Sequence, residues 1–371
     1  MQVKRVSTIG ELRQLTDDWN CLTRGVPLRS WQWLFSWWKH FESARELYVL
    51  TVTDASGNLI GAAPFFRDRD RAAGRVLRLL GSGEVCTDHL TILSTHEHEV
   101  AVAEAIAQWL VDAAADPQQR WDLLELEHVA AANKTLARLV DVLAEHGASV
   151  HTRPGMGCWK LPLAESWDAF LASTSKNRRR NLRRYARGLE SLSDARFQIA
   201  RNEADLARGW QILVDLHQRR RESLGQAGCF HSDSFAGFLR EAASELLATN
   251  QLQLCWLESA GRPIAIECDL IGGDAVYAYQ SGIDPAALEQ SPGHLLTVAI
   301  LRRAIDDGLR TYDLLRGDEH YKANWGASED PAVSYRVAAG HWQPRLRHGL
   351  WTAGFAMKNW VKGGLTLTSD D

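Results

Sequence analysis

The sequence predicts an α/β protein made of two similar units in tandem, each a mixed, mostly antiparallel sheet flanked by helices. Three observations point there. The chain has 371 residues, 45% hydrophobic and 24% charged, a globular composition long enough for two domains of about 100 to 200 residues each. A strand-turn-strand pattern followed by an amphipathic helix occurs once in each half. Each copy then ends in nearly the same word, Trp121-Asp-Leu-Leu-Glu125 and Tyr312-Asp-Leu-Leu-Arg316. A repeat this long implies duplicated domains.

From the start, Lys4 and Arg5 are followed by Ser7, Thr8, Glu11 and Arg13, where a secretory signal needs an apolar core. No run approaches the roughly 18 apolar residues of a spanning helix. The best, Val100 to Ala115, is broken by Glu104, Gln108 and Asp112. We expect a cytoplasmic protein without a transmembrane segment. Trp31, Leu34, Trp38 and Phe41 share one helical face and predict core, whereas Trp33 and Trp37 could be core or could stack on a sugar. Leu47 to Thr53 and Leu59 to Phe66 read as strands around the turn Asp54 to Asn58, with a helix over His98 to Ala115. The second copy runs Gln253 to Glu258, Ser259-Ala-Gly261, Pro263 to Leu270, and a helix over Gly293 to Asp307.

Pro154, Gly155, Gly157 and Pro162 cluster near the joint, which divides the chain into residues 1–160 and 161–345. Residues 346–371 form a C-terminal amphipathic helix and tail. Around it, Leu350, Trp351, Phe355 and Trp360 stand among Arg345, Arg347, Lys358 and Lys362, a pattern that either docks on the core or rests on a membrane surface.

With 42 basic and 46 acidic side chains the net charge is -4, so no whole-molecule field draws the chain to DNA or to an anionic membrane. One local exception is Ser173 to Glu190, with seven basic residues and one acid. There Lys176, Arg180, Arg183, Arg184 and Arg187 form a stripe opposite Leu182, Ala186 and Leu189. Such a stripe is either a solvated face or a place to neutralise phosphates, and with Tyr185 as its lone aromatic it does not suit single-stranded nucleic acid. Only 8 of the 42 basic residues are lysine, which suggests a GC-rich bacterial genome. The six cysteines include no CxxC pair, so neither a disulfide framework nor a zinc ribbon is expected. Cys86-Thr-Asp-His89 and Cys229-Phe-His231 each place a thiol near an imidazole without a second ligand pair, and no metal is assigned.

The most informative segment is Ala275 to Gly308, a strand, a loop ending in Ser291-Pro292-Gly293, and a helix. This is ordinary helix-start punctuation or a phosphate cradle, since a helix start presents free N–H groups and glycine allows close approach. The first-half counterpart, Ser94-Thr-His-Glu-His98, has no glycine and carries an acid, so only the second half is expected to hold an anion. After the second-half strand, Arg316-Gly-Asp-Glu-His-Tyr-Lys322 and Trp325 form either a solvated loop or a ligand site at a strand end.

The order Leu216 to Phe230 (LHQRRRESLGQAGCF), Gly261-Arg-Pro-Ile-Ala265, Tyr279 to Pro285 (YQSGIDP), Ser291-Pro-Gly293 and Tyr312 to Trp325 (YDLLRGDEHYKANW) resembles the CelD-like, or BioF2-like, acetyltransferase family of the GNAT superfamily. That family is similar to the Fem aminoacyltransferases, which also carry two GNAT-like domains. The resemblance is clearest over Trp167 to Trp325. It implies tandem GNAT-like (acyl-CoA N-acyltransferase) domains, the first degenerate and supporting and the second catalytic. The donor, acetyl-CoA or another acyl-CoA, would lie in a splay between the strand ending near Gly282 and the strand Thr311 to Leu315. Ser281, Gly282, Ser291, Pro292, Gly293 and His294 would bind it. This loop has one glycine where the usual acetyl-CoA loop has two.

Lys322 would stabilise the oxyanion, as the Fem likeness suggests, with Asp313, Asp318, Glu319 and Glu267 left open as base candidates. Glu267 is expected on the strand face opposite Ile264, Ile266 and Cys268. Tyr279, Arg316, Tyr321, Trp325, His217, Arg180 and Arg183 would contact the acceptor, an amine of an amino sugar or of an anionic envelope or polysaccharide precursor. A Fem-like enzyme using aminoacyl-tRNA and a non-catalytic accessory protein of exopolysaccharide (cellulose) synthesis are the alternatives.

Overall fold

The structure, a computed structural model, describes residues 1–192 and 194–366, with side chains to residue 354. The first half runs β1 (Gln2–Val6), α1 (Ile9–Arg13), α2 (Thr16–Leu22), α3 (Trp31–Phe41), β2 (Glu46–Thr53), β3 (Leu59–Asp70), β4 (Gly74–Leu79), β5 (Leu93–Ser94), α4 (Glu99–Ala113), β6 (Leu123–Ala130), α5 (Lys134–Glu145) and β7 (Ser149–Pro162). Two helices follow, α6 (Trp167–Ser173) and α7 (Lys176–Ser191). The layout then repeats as β8 (Arg196–Ile199), α8 (Glu203–Ser223), α9 (Asp233–Ala248), β9 (Leu252–Ser259), β10 (Arg262–Gly272), β11 (Ala275–Ile283), α10 (Pro292–Asp306), β12 (Thr311–Arg316), α11 (His320–Trp325) and β13 (Ser328–Ala338). The helix α12 (Trp342–Thr366) ends it. Both expected hairpins are present, as the antiparallel pairs β2/β3 and β9/β10.

Among the described residues the strands form one sheet in the order β1-β2-β3-β4-β6-β13-β7-β12-β11-β10-β9-β8, with β5 paired to β3. The halves exchange their last strands. β13, from the second half, pairs with β6, while β7, from the first, pairs with β12, and β7 and β13 pair with each other. The 160/161 division thus falls inside β7, whose backbone joins the two halves.

One core joins the first half to α8, α9 and one face of β9–β11; a second lies between the opposite face, α6, α7 and α10. Trp33 and Trp37 in α3 are 0% and 1% exposed, more buried than Trp31 and Trp38. This corrects the sugar-stacking alternative, because α3 is packed on both sides. Trp33 sits edge-on to Phe238 and Tyr279 of the second half at 4.9 and 4.8 Å and donates its indole N–H to Thr87 Oγ1 at 3.0 Å, while Trp37 packs on Phe66.

The helix α12 docks by one face. Its Arg345 donates to the Gly147 carbonyl, His348 is buried, and Arg336 lies 4.4 Å above the Trp351 ring. Trp342, Leu346 and Leu350 face outward. The Phe355, Lys358, Trp360 and Lys362 positions named above lie outside the described side chains. No helix among the described residues is long and apolar enough to cross a membrane.

Candidate active site

The parallel strands β11 and β12 pair over three rungs, Ala275↔Thr311, Val276↔Tyr312 and Tyr277↔Asp313, and then part. β11 continues to Ile283 against β10 alone, so its other edge carries backbone groups free to bind. On the other side β12 slips its register against β7 between Asp313 and Arg316, with Leu315 at φ +55°. The result is a wedge that opens toward the end of both strands.

The helix α10 begins beside the wedge. Its N-cap, Ser291, is left-handed at φ +55° and its side chain caps nothing. Pro292 has no N–H to satisfy, and the first turn contains no acid. The uncapped N–H groups and the helix dipole therefore favour an anion there. A Cβ at Gly293 would lie 2.8 Å from Ile283 Cδ1, the movable end of a side chain. Gly282 is more tightly confined, its Cβ position lying 2.7 Å from the His217 amide nitrogen.

A cavity of about 410 Å³ lies at this helix start, between α7 and α11, lined by Ser175, Asn181, Leu182, Tyr185, His294 and Trp325 among others. The His294 ring stacks on Tyr185 at 4.6 Å and on Trp325 at 5.6 Å, and those two rings lie 6.4 Å from each other, so the three form one cluster. Arg178 ties the helices together, donating to the carbonyls of Asn324 at 2.9 Å and Ala323 at 3.2 Å. Leu182 and Ala186 bury the apolar line of α7, leaving Arg180, Arg183 and Arg187 exposed on the stripe.

At the end of β12, Lys322 is 2% exposed and its Nζ donates to Leu315 O at 3.3 Å and Arg316 O at 2.7 Å, with Glu319 at 3.0 Å. Burying an ammonium is costly, and these three acceptors offset the cost. Asp318 is exposed, as is Tyr321 at 46%. Glu267 is buried and accepts the Tyr312 hydroxyl proton. Burial pushes its carboxyl up to about 7 and, with the Glu267 charge, pushes neighbouring Asp269 well up too. Ile266 and Cys268 pack in the core shared with the first half, as expected, but Ile264 packs in the other one. The register shift between Pro263 and Ala265 accounts for this correction.

The other strand of the wedge, β11, is held by His217 of α8, whose Nδ1 donates to Ser281 O at 2.9 Å, so its Nε2 receives Cys229 Sγ at 3.3 Å. Burial lowers the imidazole and lifts the thiol to about 12, leaving both neutral. Tyr279 commits its hydroxyl to Val85 O at 2.9 Å in the seam between the halves.

Sequence reasoning missed Asp88 and His89. Arg316 meets Asp88 at 3.1 Å, and Asp88 also accepts the Arg316 N–H at 3.0 Å. His89 Nε2 lies 3.0 Å from Asp313 Oδ2. Two first-half residues therefore reach the working strand of the second half. Their one signal in the sequence is the segment Cys86-Thr-Asp-His89, which has no second ligand pair nearby in the chain.

Residues 176–323 match the family described as acetyltransferase (GNAT) domain. The match covers less than half of the chain and lies in the second half, which is therefore similar to a GNAT-type acetyltransferase domain. Among solved structures the chain is similar to FemX, at 10% identity over 92% of this chain and 98% of that one, TM-score 0.64. It is also similar to the C-terminal domain of a protein described as a lysylphosphatidylglycerol synthetase from Agrobacterium fabrum, at 10% identity over 93% and 95%, TM-score 0.54. L-PGS from Bacillus licheniformis follows at 9% identity over 94% and 97%, TM-score 0.53. At such identities the likeness is one of fold. No curated protein matches the chain.

Proposed function

We propose that the protein is a CelD-like bacterial N-acyltransferase that moves an acyl group from acyl-CoA to an amine of an amino sugar or of a cell-envelope or polysaccharide precursor. The observation that carries this reading is the β11/β12 wedge opening beside the uncapped start of α10. Donor phosphates would sit at Gly293 and His294, with the thioester arm along the free edge of β11. Residues 161–345 hold the donor, and residues 1–160 support them and shape the acceptor side.

In the transfer, the amine nitrogen attacks the thioester carbonyl, the C–S bond breaks, and the amine proton passes to a base. Lys322 is the fixed cation for the developing oxyanion. Glu267, raised to about 7, has the proton affinity a base needs near neutral pH, acting through water. Asp313, Asp318 and Glu319 orient the acceptor or its water.

A second reading, a Fem-like enzyme using aminoacyl-tRNA, is favoured by the α7 stripe. Lys176, Arg180, Arg183 and Arg187 form no ion pair among the described residues, which suits them to a phosphate backbone.

Calorimetric titration with acetyl-CoA and with a longer acyl-CoA, with Gly293→Glu as control, tests the first reading. Binding that the substitution abolishes supports the thioester donor. No binding of either thioester overturns it and directs the search to aminoacyl-tRNA.

A further inference from the structure

We propose that His89, Cys158 and Asp313 form a binding site for one divalent transition-metal ion, zinc being the best match, which clips the two halves together beside the wedge. One ligand atom from each residue lies within 4.8 Å of the other two. An imidazole, a thiolate and a carboxylate are the three donor types that zinc takes from proteins, at about 2.0 to 2.3 Å and in tetrahedral array. That array spaces donor atoms about 3.5 Å apart, so small side-chain movements close the site. Three protein ligands leave a fourth position for water or an anion.

The donors come from three separate segments: the loop after β4, the strand β7 and the strand β12. Geometry adds a second observation. His89 Nε2 is buried and lies 3.0 Å from Asp313 Oδ2, yet it makes no hydrogen bond, because the carboxylate oxygen is off the line an N–H···O bond would take. Two donor atoms at contact distance without a bond between them fit ligands that share a cation.

Outer contacts hold the ligands in place, as metal sites require. Asp313 turns its other oxygen to the Leu315 N–H at 2.8 Å. The His89 carbonyl is gripped by Arg29 Nε at 2.6 Å, and His89 itself is left-handed at φ +59°, a strained conformation that persists only where its surroundings enforce it. The local charge also suits a cation. Asp88 is matched by Arg316 and Lys160 by Asp330, so the one ion-pair partner at hand for Asp313 among the described residues is the imidazole, with the Lys160 charge acting on it from the neighbouring strand. Zinc binding would release the Cys158 thiol proton to solvent. The site shares Asp313 with the acyl-transfer reading, but metal binding is read without any transfer assay, so the two can fail separately.

The test is a titration of chelator-treated full-length protein with Co²⁺, followed by displacement with Zn²⁺. The expected result is saturation at one ion per chain with a thiolate-to-cobalt charge-transfer band, and a Zn²⁺-dependent rise in Tm. Cys158→Ser should remove the band, and His89→Ala and the near-isosteric Asp313→Asn should weaken binding by at least about tenfold. Cys86→Ser, at an exposed thiol on the same loop, should change nothing. Absence of saturable Co²⁺ binding by wild-type protein would overturn the proposal. So would a band that survives Cys158→Ser. Circular dichroism of each variant separates lost ligands from lost fold, and the wild-type titration decides the matter even if a variant fails to fold.

Discussion

In the first half, β4 and β6 run parallel over two rungs, Val76↔Leu123 and Leu77↔Leu124, and the space beyond them is filled. There Arg78 meets Glu125 at 2.6 Å, and Arg336 of the exchanged strand joins the same carboxylate. In the second half Ala278 and Leu314 follow the last rung unpaired with each other, and the ion pairs of β12, Arg316 with Asp88 and Asp313 with His89, are made with the loop after β4 of the first half. The helices that come next differ in the same sense. α4 begins with Glu99, held by Arg24, whereas α10 begins with no acid and no cap. One backbone plan thus yields an ion-filled wedge in one copy and an anion-favouring wedge in the other. A handful of side chains sets the two copies apart.

The repeated words show a subtler parallel. Asp122 meets His341 at 3.4 Å, and Asp313 meets His89 at 3.0 Å. Each aspartate is approached by a histidine from the other half, as the strand exchange requires. The surroundings then diverge, since Asp122 is also approached by Arg347 while Asp313 has Cys158 as its further neighbour.

The largest expected effect concerns the seam that makes the halves one body. Trp33→Ala removes a fully buried indole and should cost about 3–5 kcal/mol in urea denaturation. Two separate unfolding transitions, with only the first shifted, would mean that the halves fold independently. Next, Lys322→Ala should lower transfer by about a hundredfold to a thousandfold, as loss of an oxyanion donor does. Arg78→Ala in the other copy should leave turnover unchanged, and equal losses would break the distinction between the wedges. At the helix starts, Gly293→Glu should bring donor binding below detection by calorimetry, while Glu99→Gly should create no second site.

The smallest effect is a pH dependence. Burial holds Glu267 near 7, above the ordinary carboxyl range, so the folded state binds this proton more tightly than the unfolded chain does. Stability from this group is therefore full in acid, below the unfolded value, and falls as pH rises toward 7. Tm followed against pH should show that fall in the wild type and a flatter profile in Glu267→Gln. A stability that rises over the same window would show that Glu267 is not held protonated.

Much of the fold was legible because its signals are local. The apolar runs in Leu47–Thr53 and Gln253–Glu258, the turn residues at Asp54–Asn58 and Ser259–Gly261, and the period of the Gly293 helix each need only near neighbours in the chain. The helix start at Ser291-Pro292-Gly293 and the basic stripe of α7 were readable for the same reason. The burial of Trp33 and Trp37 was not, because a helix packed on two sides loses the one-sided pattern that periodicity detects.

By itself, then, the sequence determined that this chain is a duplicated α/β protein whose two repeated helices start differently, one with an acid and one without, since propensity, turn chemistry and charge act over a few residues. Only the tertiary structure decided that the halves trade their last strands and that Asp88 and His89 arrive at Arg316 and Asp313. Those contacts join residues more than half the chain apart, and the packing of two cores, which no local pattern encodes, is what brings them together.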